Sequence, residues 1–147
     1  MFISYDSRMI EQTFFMIKPD AVERGLVGEI LRRAENKGLE IVALEMKTIT
    51  REFAEAHYGE HQGKDFYGPL IDFVTRGPLI CGIFQGEGAI GAWRQLCGGT
   101  DPIKSAQPGS IRGDYCVITR ENAVHGSDSE ETAREEIKMW FPEFPLH

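Results

Sequence analysis

The residues best suited to chemistry lie in the segment 122–129, whose centre is His125. Glu136 follows on the edge of the apolar stripe of a predicted helix, where its carboxylate can turn back toward the histidine. A carboxylate bound to one ring nitrogen leaves the other nitrogen with a free lone pair. The pair therefore indicates a neutral imidazole that acts as nucleophile or base. On these residues alone, a loop histidine without a chemical role is an equal alternative.

The elements around His125 follow from the neighbouring residues. The apolar run 115–119 predicts a strand before the histidine. Ser127 and Glu130 have the spacing of a capping box, which predicts the start of the final helix. We therefore expect His125 on a loop between this strand and this helix.

Length and composition indicate a single soluble globular domain. The chain has 147 residues, of which 41% are hydrophobic and 27% are charged. Its formal net charge of −7 argues against duplex nucleic acid as the main partner, because such binding requires many phosphates to be neutralised. If the ligand is nevertheless an anion, the few cations must converge, and we single out Lys18, Arg94 and Arg112.

The cysteines and the hydropathy pattern indicate the cellular compartment of the protein. Cys81, Cys97 and Cys116 are odd in number and widely spaced, which favours buried, reduced thiols over a disulfide framework or a zinc site. No signal peptide and no run long enough to span a membrane is visible. We expect a cytoplasmic protein without a membrane partner.

Alternating strands and helices are predicted along the chain. Residues 13–18 form an apolar run that ends at Lys18 and predicts a central strand, and a helix with Gly38 as its C′ residue follows. Residues 42–48 predict a half-exposed strand with even positions toward the core. The remaining predictions are helices at 51–58, 67–75 and 89–96, a strand at 79–84 and a long loop at 98–109. This order favours an α+β fold with an antiparallel or mixed sheet.

Two common phosphate-binding motifs and one metal motif are not supported. The chain contains neither the glycine-lysine loop of P-loop proteins nor the glycine pattern of a dinucleotide-binding fold. His57 and His61 have an i, i+4 spacing but lack the glutamate that follows the first histidine in zinc proteases. We predict no protein-bound metal site.

Taken together, four segments resemble the nucleoside diphosphate kinase family. They are Lys18-Pro19-Asp20, His57-Tyr58, residues 110–114, and the segment around His125 that continues as Gly126-Ser127-Asp128-Ser129. The resemblance runs from about residue 11 to residue 141. It implies a ferredoxin-like α/β sandwich, in which helices pack on a four-stranded antiparallel sheet. We expect one such domain over residues 1–147, with residues 1–10 as an N-terminal extension.

The resemblance also implies a reaction. His125 would accept the γ-phosphoryl group of a nucleoside triphosphate and pass it to a nucleoside diphosphate in a ping-pong cycle. Glu136 matches the carboxylate that orients the ring, and Tyr58 matches a hydroxyl close to the nucleophile. Lys18 matches a residue that steers the phosphates.

The same resemblance implies how the nucleotide is held. Arg94, Thr100 and Arg112 match phosphate contacts, while Asn122, like Lys18, matches a contact to ribose hydroxyls and phosphates. Phe66 matches the ring on which the base stacks, and stacking predicts broad base specificity. Mg²⁺ is expected on the nucleotide phosphates.

Three positions depart from the family pattern without removing a reacting group. Ala21 stands where glycine is common, Ser110 where threonine is common, and Thr119 where valine often completes the base slot.

The family also implies a homo-oligomer. We favour a hexamer over a tetramer, because the proline-containing loop 98–109 matches the family's trimer contact. The short segment after Trp140 lacks the longer tail of many hexameric relatives, which argues the other way.

Two other functions use the same residues. A phosphohydrolase or phosphohistidine relay would transfer the group from His125 to water or to a protein. A non-enzymatic binding module would keep the fold without turnover, which the joint presence of seven matching polar residues disfavours. The destination of a labelled phosphoryl group separates these functions.

Overall fold

The computed structural model describes residues 10–146, which contain a four-stranded antiparallel sheet. The strands are β1 (Ile10–Ile17), β2 (Glu40–Lys47), β3 (Leu79–Glu87) and β4 (Val124–Gly126). Their spatial order is β2-β3-β1-β4, and every neighbouring pair is antiparallel. The predicted ferredoxin-like sandwich is confirmed. Residues 1–9 of the predicted N-terminal extension lie outside the described part, and Ile10 already belongs to β1.

Seven α-helices lie between and after these strands within residues 10–146. They are α1 (Pro19–Glu23), α2 (Val27–Lys37), α3 (Arg51–His57), α4 (Tyr67–Val74), α5 (Ala89–Cys97), α6 (Ile111–Tyr115) and α7 (Glu130–Trp140). Two 3₁₀ turns, Gly59–His61 and Thr119–Glu121, complete the connections. Gly38 has a φ of 104° and ends α2 in the left-handed conformation, as predicted.

Strand β1 is buried on both faces, which explains its continuous apolar sequence. Phe15 and Ile17 pack with residues of α2 and α5 on one face of the sheet. Phe14 and Met16 pack on the other face with residues of α3, α4 and α7. Successive side chains of a strand point to opposite faces, so one short apolar run supplies the centre of both cores.

The predicted strand at 115–119 is wrong. Residues 111–115 form α6 instead, because the Ser110 hydroxyl caps that helix by accepting a hydrogen bond from Gly113 N at 3.0 Å. Cys116 packs in the core, but Val117 and Ile118 are exposed, so most of this apolar run stays outside the core. The fourth strand is β4, which pairs with β1 and contains His125. His125 is thus held in a strand rather than on a loop.

The start of the last helix is also displaced from the prediction. The N-cap of α7 is Ser129, whose side chain accepts a hydrogen bond from Thr132 N at 3.1 Å. Ser127 does not cap the helix. Its hydroxyl donates to Glu136 Oε1 at 2.5 Å, so the predicted capping serine is part of the histidine site.

The prediction that the even positions of β2 point toward the core is also wrong. Leu44 and Met46 are 50% and 56% exposed. The register against β3 shifts between Ile41 and Ala43, and such an irregularity moves the following residues to the opposite face.

Candidate active site

A cleft of about 840 Å³ contains all the residues that the sequence singled out as functional. It is lined by Lys18, Tyr58, Phe66, Arg94, Thr100, Arg112, Asn122, His125 and Glu136, together with others. These residues come from strands, helices and loops far apart in the sequence. The fold therefore brings the predicted set together at one concave surface.

At the floor of the cleft, His125 is held through one ring nitrogen. His125 Nε2 lies 2.8 Å from Glu136 Oε2, while Glu136 Oε1 accepts the Ser127 hydroxyl. Burial alone would raise the pKa of Glu136, but the hydrogen bond and charge interaction with His125 hold it below its usual value. An ionised Glu136 fixes the proton on Nε2. The Nδ1 atom then carries the lone pair and has no hydrogen bond within residues 10–146.

The backbone of His125 is fixed as firmly as its ring. His125 pairs with Met16 across β1 and β4, and its carbonyl accepts a hydrogen bond from Trp93 Nε1 at 3.0 Å. A Cβ atom at Gly126 would lie 2.5 Å from Trp93 Cδ1, so only glycine permits the close approach of α5 to β4.

Lys18 and Asn122 meet at the end of β1. Lys18 Nζ donates to Asn122 Oδ1 at 2.9 Å, and Asn122 Nδ2 donates to the Thr100 carbonyl at 3.1 Å. Burial, with the neighbouring Arg112 charge, lowers the pKa of Lys18 to about 8. Its ammonium group is thus a buried cation without an ion-pair partner in the described chain, a suitable position for an anionic ligand.

A strained residue precedes the histidine strand. Ala123 has a φ of 71°, a conformation that residues other than glycine rarely adopt. Its amide donates to Asp20 Oδ2 at 3.1 Å and its carbonyl accepts from Lys18 N at 2.7 Å. These two hydrogen bonds tie the turn before His125 to the Lys18-Pro19-Asp20 segment. Strain of this kind concentrates at functional sites.

Arg112 is buried and braces three backbone carbonyls. Its guanidinium donates to Gly98 O at 2.8 Å, Val124 O at 2.7 Å and Asn122 O at 3.3 Å. An arginine has five N–H donors, so two remain for a ligand in the cleft. Burial lowers the pKa of Arg112 from its usual value, although the group stays charged.

Arg94 and Thr100 lie on more exposed parts of the cleft. Arg94 Nη1 contacts the Gly126 carbonyl at 3.4 Å, which leaves most of its guanidinium open to solvent. The cleft contains four cations alongside four carboxylates, in a chain of net charge −7; the cations are Lys18, Arg94, Arg112 and Arg120, and the carboxylates are Glu60, Asp65, Asp128 and Glu136. The convergence of these cations favours an anionic ligand with several charges.

The Tyr58 hydroxyl is buried and has no hydrogen-bond partner within residues 10–146. Burial and the nearby Glu136 charge raise the pKa of Tyr58, so the group is a neutral phenol that can donate a hydrogen bond. An unpaired buried hydroxyl on a cleft wall is costly unless a ligand or water contacts it.

His57 adjoins the same carboxylate, and together with His125 and Glu136 it places three ligand atoms within 4.8 Å of one another. Trp140 Nε1 donates to His57 Nδ1 at 3.0 Å, which puts the His57 proton on Nε2, 3.6 Å from Glu136 Oε2. Burial and the neighbouring His125 lower the pKa of His57 to about 3. A protonated Nε2 cannot bind a metal ion, so the group fits a polar network better than a metal site.

Phe66 marks the outer end of the cleft. Its ring is 47% exposed and lies close to His61, with a centroid distance of 5.1 Å. Thr119 begins the 3₁₀ turn that forms another part of the cleft wall. An exposed aromatic ring at the rim of a cleft lined by charged side chains provides an apolar platform next to a polar pocket.

Sequence reasoning missed several supporting residues. The sequence predicts Ser127 as a helix cap and gives no individual role to Asp20, Trp93, His57 and Trp140. Asp20 is buried and accepts a hydrogen bond from Ala123 N, and neither its burial nor this partner is visible in the sequence. The other contacts join residues distant in sequence.

Comparison with known proteins identifies the family. The family model described as nucleoside diphosphate kinase matches residues 11–146. The nucleoside diphosphate kinase of Nocardia farcinica is 57% identical over 138 residues, which cover 94% of this chain and 99% of that protein. The enzyme of Saccharopolyspora erythraea is 56% identical over 135 residues, covering 92% and 99%.

Comparison with solved structures identifies the same family. A halophilic nucleoside diphosphate kinase from Halobacterium salinarum, solved in complex with CDP, has a TM-score of 0.88 and 41% identity and covers 93% of each chain. The apo enzyme from Encephalitozoon cuniculi has a TM-score of 0.87 and 38% identity, covering 93% and 94%. The fold and the cleft thus define a nucleotide phosphotransferase. The chain belongs to the nucleoside diphosphate kinase family.

Proposed function

We propose that this protein transfers the γ-phosphoryl group of a nucleoside triphosphate to a nucleoside diphosphate by a ping-pong mechanism through His125. The observation that carries the proposal is the geometry of the histidine: Nε2 is bound to Glu136, and Nδ1 is left with the lone pair beside the cleft. Family membership implies nucleotide substrates, and the cations that line the cleft support an anionic, phosphate-bearing ligand.

In the first half of the cycle, His125 Nδ1 attacks the γ-phosphorus. The N–P bond forms while the bond between phosphorus and the β–γ bridging oxygen breaks, and the diphosphate leaves with that electron pair. The ring becomes positively charged and keeps its proton on Nε2, where Glu136 stabilises it. In the second half, a terminal oxygen of another diphosphate attacks the phosphorus, and Nδ1 regains its lone pair.

The other polar residues support charge stabilisation. Arg94, Arg112 and Lys18 would share the charge of the transferring group, and Tyr58 would donate its unpaired hydroxyl. Thr100 and Asn122 would contact phosphates and ribose, and Phe66 would stack on the base.

A divalent cation is required by this family. We propose Mg²⁺, bound to the nucleotide phosphates, where it would neutralise charge and fix their conformation. Both carboxylate oxygens of Glu136 already contact His125 and Ser127, so this carboxylate is not free to bind a metal ion. The site therefore suits a metal ion that arrives bound to the nucleotide better than one held by the protein.

A labelling experiment tests the mechanism. The protein is mixed with γ-labelled ATP, and the phosphoenzyme is isolated and chased with unlabelled GDP. We expect label on the protein that is lost in acid and retained in base, followed by labelled GTP. Label released as inorganic phosphate would support the hydrolase instead, and acid-labile label on His125→Ala would exclude His125 as the nucleophile.

We also retain the proposal of a cytoplasmic homohexamer. All three cysteines are buried and free, which supports a reducing compartment, and Ile103 in the loop 98–109 is 70% exposed and available for a subunit contact. None of the helices between residues 10 and 146 has the length and apolar character needed to cross a membrane. Light scattering should give a mass near six times 16.6 kDa, whereas four times that mass would indicate the tetramer.

A further inference from the structure

Arg120 is a cation at the outer end of the cleft, away from the phosphate-binding cations. It lies in the 3₁₀ turn Thr119–Glu121 and lines the cleft together with Phe66 and Pro69. A side cavity of about 300 Å³ adjoins the cleft at this end and shares Pro69 and Arg120 with it. None of Lys18, Arg94, Arg112 or His125 lines that side cavity, so Arg120 belongs to the end that would hold the base.

The neighbouring carboxylate does not neutralise Arg120. Glu121 Oε1 pairs with Arg76 Nη2 at 3.0 Å, and Arg76 also forms a bidentate ion pair with Glu23 at 3.0 and 2.7 Å. Within residues 10–146, Arg120 itself has no hydrogen bond or ion pair. Its guanidinium is therefore available to a ligand.

The same ion pairs hold the turn in place. Arg76 follows α4, and Glu23 ends α1, so the Arg76–Glu121 pair ties the 3₁₀ turn to two helices. The Arg76 guanidinium also lies 4.8 Å from the centroid of the Phe73 ring, which restricts its movement. The backbone of Arg120 is thus positioned although its side chain is exposed.

The chemistry of the guanidinium selects among base edges. Phe66 offers an apolar surface to the face of any base, whereas a guanidinium offers only donors in a planar fork. Guanine and hypoxanthine present two adjacent acceptors, O6 and N7. Adenine presents N7 beside an amino donor, which the fork repels.

We propose that Arg120 reads the base edge and gives this enzyme a preference for nucleotides of 6-oxopurines over those of adenine. This inference rests on the proposed function, since it assigns the base to the Phe66 end of the cleft. It adds a base-selective contact to a stacking site that is otherwise indifferent to base identity.

Inosine diphosphate and ADP provide the test, because their bases differ at the 6-position, where hypoxanthine has a carbonyl and adenine an amino group. Both are compared as acceptors from the phosphoenzyme, by kcat/KM, and as ligands of the unphosphorylated protein, by calorimetry. The wild type should prefer inosine diphosphate by about fivefold to tenfold, the lower part of the range for a bidentate arginine contact, because the site is exposed. Arg120→Ala should reduce the ratio to below about twofold.

Two further variants control for the loss of one positive charge and test the support of the 3₁₀ turn. Arg32→Ala removes an exposed arginine of α2 whose single ion-pair partner within residues 10–146 is Glu29, and it should keep the wild-type ratio. Glu121→Gln weakens the tie to Arg76 and should lower the ratio while Arg120 remains.

Equal use and equal binding of the two diphosphates by the wild type would overturn the inference, as would a preference that survives in Arg120→Ala. Selective binding of inosine diphosphate without phosphoryl transfer would instead contradict the proposed function, while still supporting the contact between Arg120 and the base.

Discussion

Replacement of Glu136 by glutamine removes the charge that acts on His125 while keeping the shape of the side chain. In the structure, one carboxylate oxygen lies 2.8 Å from His125 Nε2 and the other accepts from Ser127. Glutamine can still accept from Nε2 through its oxygen and donate to Ser127 through its amide, so we expect the fold to persist. What is lost is the negative charge that stabilises the ring when it becomes positive.

The expected magnitude follows from this loss. Hydrogen bonds to charged groups contribute about 1.5–3 kcal/mol, and neutral ones contribute about 0.5–1.5 kcal/mol. The difference, about 1–2 kcal/mol in the transition state, slows phosphoenzyme formation by ~5- to 30-fold. Rapid-quench mixing with γ-labelled ATP at saturating concentration measures this step directly.

Glu135→Gln is the matched control, because it makes the same charge change on the exposed side of the same helix. It should form phosphoenzyme at the wild-type rate. If Glu136→Gln reacts as fast as Glu135→Gln while both fold normally, the carboxylate does not act on the reacting ring and the mechanism above is wrong.

Three other residues give separate expectations. Phe66→Ala should weaken nucleotide binding by about 1–3 kcal/mol with little change in the rate at saturation, and unchanged affinity in calorimetry would contradict stacking. Lys18 should make kcat/KM fall as the pH rises through about 8, because the ammonium loses its proton there and its attraction for phosphate with it. Lys18→Arg, which stays charged, should lack that decrease, and an identical profile would assign it to another group. Arg112→Ala should lower the free energy of unfolding by ~3–5 kcal/mol as well as slow transfer, since three buried carbonyls lose their donor. Chemical denaturation measures this loss, and a variant as stable as the wild type would refute the bracing role.

Local sequence patterns predicted the elements whose signals are contained in a single segment. The apolar run of β1, the periodicity of α2 and the glycine at its end each reflect interactions between near neighbours. The pairing of His125 with Glu136 could be anticipated for a similar reason, because a helix edge fixes where the carboxylate projects.

The tertiary structure decided which segment became the fourth strand. Residues 115–119 had the stronger strand pattern, but β1 pairs instead with the three residues of β4, a segment too short to show any periodicity. Likewise, Lys18 meets Asn122 across 104 positions, and the donors of Arg112 reach three carbonyls in two separate segments. An unpaired strand edge or a backbone carbonyl can hydrogen-bond to any suitable group that the packing of the core brings near it. Their partners are therefore chosen by the geometry of the assembled core and leave no mark in the order of the residues.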